Sequence, residues 1–126
     1  MTEPCPFCEP LKSDEIVLES EYCVLITNKD KVLVGSCMII PRAHRETVFD
    51  LTDEEFRDTR GLLLRAKAYL DERYKPDGYN VGWNSGAVGG QTVLHAHLHV
   101  IPRFKDEPFA GQGIRHHLKQ EENRRP

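Results

Sequence analysis

The 126 residues carry a net charge of −3 with histidine neutral, and 39% are hydrophobic and 29% charged. That length and balance suit one domain with its own core and exclude the broad basic field of a nucleic-acid or membrane-surface binder. No stretch approaches the roughly 18 apolar residues of a membrane span, and the opening MTEPCPFCEP lacks a leader-like apolar run, so the expected compartment is the cytoplasm.

In chain order, the first chemistry-bearing feature is Cys5-Pro6-Phe7-Cys8. In a reducing compartment such a pair reads as metal or redox chemistry before disulfide chemistry. A thioredoxin-like pair needs a preceding strand, which is missing here, and a bare Cys-x-x-Cys is only half a zinc site. EIVLES (15–20) and EYCVLITNK (21–29) read as two strands of a hairpin. KVLVGSCMIIP (31–41) reads as a third strand, closed by Pro41, which has no N–H for a ladder. Cys23 and Cys37 fall inside these strands as small buried hydrophobes.

LTDEEFRDTRGLLLRAKAYLDERY (51–74) is the clear helix. Thr52 and Glu55 form a capping box, and Phe56, Leu63, Ala66 and Leu70 recur on one face. KPDG then forces a turn, YNVGWN (79–84) reads as a fourth strand, SGAVGG (85–90) as a loop, and TVLHAHLHVIP (92–102) as a fifth strand. Strands grouped on either side of one long helix predict a single α+β domain over 1–126, an antiparallel sheet of about five strands packed by that helix. The polar tail 119–126 is expected to be loose, and His116 and His117 to be surface residues.

Alternation along a strand sets His95, His97 and His99 on one face and Ala96, Leu98 and Val100 on the other. The imidazoles could bind one metal, act as a nucleophile with helpers, or divide between those roles. A single catalytic metal is the weaker reading, because no Asp or Glu lies within six residues of His99 to orient its ligands. The adjoining SGAVGGQT could turn backbone N–H groups toward an anion, which suits phosphate chemistry beside a neutral-pH nucleophile.

HAHLHVI, framed by GGQTV and IPR, resembles the motif of the histidine-triad (HIT) superfamily, and the likeness extends from Cys5 to about Phe104 through Asn28, GSCMIIPRAH, the helix and NSGAVGGQTV. The resemblance implies a nucleotide hydrolase acting at an α-phosphate through a nucleotidyl-histidine intermediate. His97 would be the nucleophile and His99 a phosphate-binding partner. Gln91 and Thr92 would contact the phosphates and leaving group, Asn28 the ribose, and Asn84 the phosphate chain. Cys5, Cys8, His44 and His95 would form a structural zinc site. The dinucleoside polyphosphate hydrolase branch is the nearest in motif, with phosphoramidates as the other substrate class. A nucleotidyl transferase and a nucleotide-binding regulatory module are the alternatives. Homodimers are common in the superfamily, so a homodimer is expected, with no nucleic-acid or membrane partner. One position departs from the pattern: Ser36 stands where many members carry a histidine that supports the triad.

Overall fold

The computed structural model describes residues 5–8, 11, 14–27 and 30–126. Strands β1 (Ile16–Glu19), β2 (Cys23–Thr27) and β3 (Cys37–Pro41) precede helix α1 (Asp53–Tyr74). Strands β4 (Gly78–Trp83) and β5 (Leu98–Arg103) follow it, then a short helix α2 (Ile114–Leu118). The five strands form one antiparallel sheet in the order β1-β2-β3-β5-β4. This is the α+β architecture predicted from the sequence. No helix among the described residues is long and apolar enough to cross a membrane.

Strands β2 and β3 are almost wholly apolar because both of their faces are covered. Leu25, Ile39, Leu98 and Val100 pack with Leu62, Ala66 and Leu70 of α1 on one side. Val24, Ile26, Met38 and Ile40 pack on the other, where Phe7 and Leu11 cover them. Helix α1 begins where expected: the Thr52 hydroxyl accepts from the Glu55 N–H at 3.1 Å, and Glu55 Oε1 accepts from the Thr52 N–H at 2.8 Å. It ends at Lys75, whose left-handed φ of 51° breaks the helical run.

Three details differ from the sequence reading. The third strand begins at Cys37 rather than Lys31. The Asp30 carboxylate accepts from the N–H groups of Val32 and Leu33 at 2.7 and 2.9 Å, so the KVLV run is bent into a turn before it can pair. The buried stripe of α1 is Glu55, Thr59, Leu62, Ala66 and Leu70, and Phe56 points outward at 56% exposure. Two polar residues belong to the stripe because they are hydrogen-bonded, Glu55 to Arg45 and Thr59 to the Glu55 carbonyl, and hydrophobic periodicity does not register them. Finally, β5 starts at Leu98, so His95 and His97 precede the ladder and only His99 lies in it.

The two faces of α1 separate in energy. Leu62→Ala should cost about 2–5 kcal/mol by urea unfolding, and Phe56→Ala less than about 0.5 kcal/mol; the reverse order would mean that the helix is rotated.

Candidate active site and metal centre

The site is built on residues 91–99, which run from the glycine loop into β5 beside the segment 41–46. Three carbonyls of that segment receive donors from it. Pro41 O accepts from the His95 ring Nε2 at 2.8 Å, Arg45 O from the Ala96 N–H at 2.6 Å, and Glu46 O from the Gln91 side-chain amide at 2.6 Å. With no ladder bond yet available to His95 and His97, these contacts hold the stretch in place.

A carbonyl can only accept, so a ring nitrogen bonded to one must carry the proton, which fixes the tautomer. His95 carries its proton on Nε2, toward Pro41, and its Nδ1 faces the Sγ atoms of Cys5 and Cys8, 3.3 Å from each. His44 Nδ1 lies 3.0 Å from Cys8 Sγ, and the four ligand atoms of Cys5, Cys8, His44 and His95 all lie within 4.8 Å of one another. Two thiols and two imidazoles drawn from three separate stretches, with one ring oriented by a backbone carbonyl, make a donor set that could hold a metal ion, of the Cys₂His₂ kind that suits structural zinc. His95 has no exposed surface, and burial, with His44 and His97 adding to it, lowers its proton affinity despite the Pro41 hydrogen bond.

His97 is oriented in the opposite sense. Its Nδ1 donates to the His95 carbonyl at 2.8 Å, so the lone pair of the neutral ring lies on Nε2. Phe7, from the CPFC turn, packs edge-on against the His97 and His95 rings with centroids 5.3 and 5.9 Å away. The His99 ring stands 4.9 Å from that of His97. Burial, and next the charge of His97, lowers the pKa of His99, which favours its neutral form at pH 7.

The glycine loop differs from the expected cradle of free N–H groups. Gly86 N–H donates to Gln91 Oε1, Gly89 N–H to Gly86 O, Gly90 N–H to Ala87 O and Gln91 N–H to Gly86 O. These four donors are consumed within the loop. A Cβ on Gly89 would sit 2.6 Å from the Ser85 carbonyl oxygen, and Gly90, at φ 99°, lies against the Asn84 amide. Gln91 is buried at 5% exposure, with its amide nitrogen also 2.9 Å from Val93 O. Its side chain therefore ties the loop to segment 41–46. Asn84 is half-buried at the end of β4 and Thr92 is exposed.

Asn28 lies outside the described residues. Ser36 is buried and immediately precedes β3, whose first residue, Cys37, pairs with Val100, further along β5 from His97. Cys23 and Cys37 are buried, and burial pushes both thiols up to about 11, so they remain neutral core groups. Sequence reading missed Arg45, Phe7 and the Pro41 carbonyl as parts of the site. Only Phe7 carried a sequence signal, its place inside Cys-x-x-Cys.

The family model described as the HIT domain matches residues 10–106. The protein named Protein hit, from Bacillus subtilis, is 30% identical over 105 residues, covering 81% of this chain and 72% of that protein. A bis(5'-adenosyl)-triphosphatase of Dictyostelium discoideum is 34% identical over 95 residues, covering 75% of this chain. The chain spans 64% of that enzyme's length. Among solved structures, a zinc-bound histidine triad family protein from Mycobacterium smegmatis matches with a TM-score of 0.74 at 26% identity, covering 86% of this chain and 81% of that one.

The contacts of Gln91 separate two roles. Gln91→Ala should cost about 1–3 kcal/mol of stability without any nucleotide, because it leaves buried backbone groups unpaired. A glutamine that acted on phosphate alone would leave urea unfolding of the ligand-free protein unchanged.

Proposed function

The chain belongs to the HIT family, and on that premise we propose that it hydrolyses dinucleoside polyphosphates at an α-phosphate, with His97 as the nucleophile. The observation that carries the reading is the His97 Nδ1–H bond to the His95 carbonyl. It directs the Nε2 lone pair away from the backbone and fixes it there, as attack on phosphorus requires. Nε2 would form a bond to the α-phosphorus in line with the departing nucleotide, which leaves with the electron pair of the P–O bond. Water would then cleave the phosphohistidine and regenerate the ring. His99, beside His97 and favoured in its neutral form, would donate a hydrogen bond to a non-bridging oxygen. Thr92 and Asn84 flank the same stretch and would contact the phosphate chain, and Asn28 would contact the ribose. Gln91 keeps its place in the site as the residue that shapes the loop. The dinucleotide substrate class follows the triphosphatase relative, with phosphoramidates the competing class.

We assign zinc to Cys5, Cys8, His44 and His95, on the donor set and on the His95 tautomer that turns Nδ1 toward the thiols. When bound, zinc would supply cross-linking rather than chemistry, fastening the N-terminal turn and segment 41–46 to the stretch that bears the nucleophile. A cytoplasmic homodimer free of nucleic acid and membrane completes the reading.

His97→Ala should lower turnover of a diadenosine polyphosphate by several orders of magnitude while nucleotide binding survives. A panel that includes adenosine phosphoramidates and nucleotide sugars, quenched to trap phosphohistidine, identifies the substrate class; a variant with the wild-type rate would remove His97 as nucleophile. Elemental analysis should find a single zinc ion per chain, lost in Cys5→Ser. Native protein free of zinc would end the metal assignment.

A further inference from the structure

We propose that Arg45 is a positioning residue for the His97 imidazole and acts through a single peptide plane, an inference that rests on His97 being the nucleophile. The peptide bond between His95 and Ala96 carries both groups that matter. Its carbonyl accepts from His97 Nδ1 at 2.8 Å, and its N–H donates to the Arg45 carbonyl at 2.6 Å. A peptide unit is planar, so holding its N–H fixes the direction of its C=O. The plane that orients the nucleophile is thus set by the position of the Arg45 backbone. It lies ahead of β5, outside the ladder that fixes Leu98 to Arg103.

The Arg45 backbone is in turn fixed by its own side chain. Its Nε donates to both carboxylate oxygens of Glu55, at 2.9 and 3.2 Å. Glu55 is only 2% exposed, and its Oε1 also caps α1 through the Thr52 N–H. Burial alone would raise the Glu55 carboxyl; the Arg45 and Thr52 hydrogen bonds outweigh it and hold the pKa below the ordinary range. The first turn of a 22-residue helix is therefore the anchor. From it the path runs through Glu55, Arg45 and the His95–Ala96 peptide to the His97 ring. Productive attack tolerates about 10–20° of misdirection, and a misplacement near 1 Å can cost on the order of a hundredfold in rate.

Arg45→Met keeps the aliphatic stem and the backbone carbonyl but removes the guanidinium. Glu55→Gln keeps a residue able to complete the capping box and removes the charge. Asp58→Asn is the comparator: Asp58 is another α1 carboxylate, bonded to Ser20 and the Tyr22 N–H at the far hairpin. Arg45→Met is expected to lower kcat about tenfold or more with KM within about twofold. Glu55→Gln should show a smaller loss of the same pattern, and Arg45→Lys should restore part of the rate. The double variant should be no worse than Arg45→Met alone, as expected of two residues on one path. Asp58→Asn should lose stability with kcat unchanged.

A second readout needs no turnover. The His97 Nδ1–H proton, followed by nitrogen-edited NMR, should exchange slowly in the wild type and in Asp58→Asn but faster in Arg45→Met and Glu55→Gln. An unchanged His97 signal in folded Arg45→Met would overturn the relay whatever the rates. Loss of zinc from that variant would overturn it in favour of a metal-site effect. If the signal responds as expected while the wild type turns over no member of the substrate panel, the peptide relay stands and the nucleophilic role of His97 falls. Should Arg45→Met fail to fold, Glu55→Gln decides on the same two readouts.

Discussion

The imidazole of His95 is held between the Pro41 carbonyl and the Cys5 and Cys8 thiols, and its own carbonyl orients the ring of His97. The contacts of the His95 ring join stretches far apart in the chain, the N-terminal turn, the end of β3 and the approach to β5, while its carbonyl acts locally, two residues on. Without them residues 95–97 would be an irregular connection ahead of a strand, and irregular backbone holds a side chain less closely than the proposed attack on phosphorus requires. Burial completes the arrangement. His95 is wholly enclosed, its ring nitrogens are both engaged, and its proton affinity is lowered by the loss of water.

Much of this could be read from the chain because it is written in local spacing. The capping box at Thr52 and Glu55, the alternating histidines and the Cys-x-x-Cys pair are patterns a few residues long, and the structure assembles them within one α+β domain. The family resemblance implied a backbone carbonyl on His97 Nδ1, but the contacts carried by the carbonyls of Pro41, Arg45 and Glu46 were invisible, since any residue type supplies one and nothing in the sequence marks these three as acceptors. Glu55 was legible as a cap but not as the partner of Arg45, ten positions earlier. The same polar residue, with Thr59, hid the true buried stripe of α1 from a reading based on apolar periodicity. In the β2–β3 connection the error had the opposite cause. An apolar KVLV run satisfies strand propensity, yet the Asp30 side chain captures two of its N–H groups first.

The glycine loop shows how far a motif's chemistry depends on what its donors have already bonded. SGAVGGQT suggested a nest of N–H groups for phosphate, but the donors of Gly86, Gly89, Gly90 and Gln91 close the loop on itself. Tightness is then the loop's function: it brings Asn84 against Gly90 and sets Gln91 in position to meet segment 41–46. These four amides are therefore not available to an anion, and in the proposed reaction that work falls to side chains, the imidazoles foremost.

The choice of a carbonyl to orient His97 has a chemical consequence. A carboxylate on Nδ1 would fix the same tautomer, as in hydrolases whose histidine takes a proton from serine, but it would also raise the basicity of the ring and favour imidazolium. A general base benefits from that; a nucleophile must keep its own lone pair free. A neutral acceptor orients the ring without adding charge, and spares the fold an unpaired buried carboxylate beside the imidazoles. Among the described residues, the one carboxylate buried near this segment, Glu55, is placed against Arg45, with a peptide plane between it and the imidazole. Its charge is neutralised where it lies, and what reaches His97 is direction rather than field.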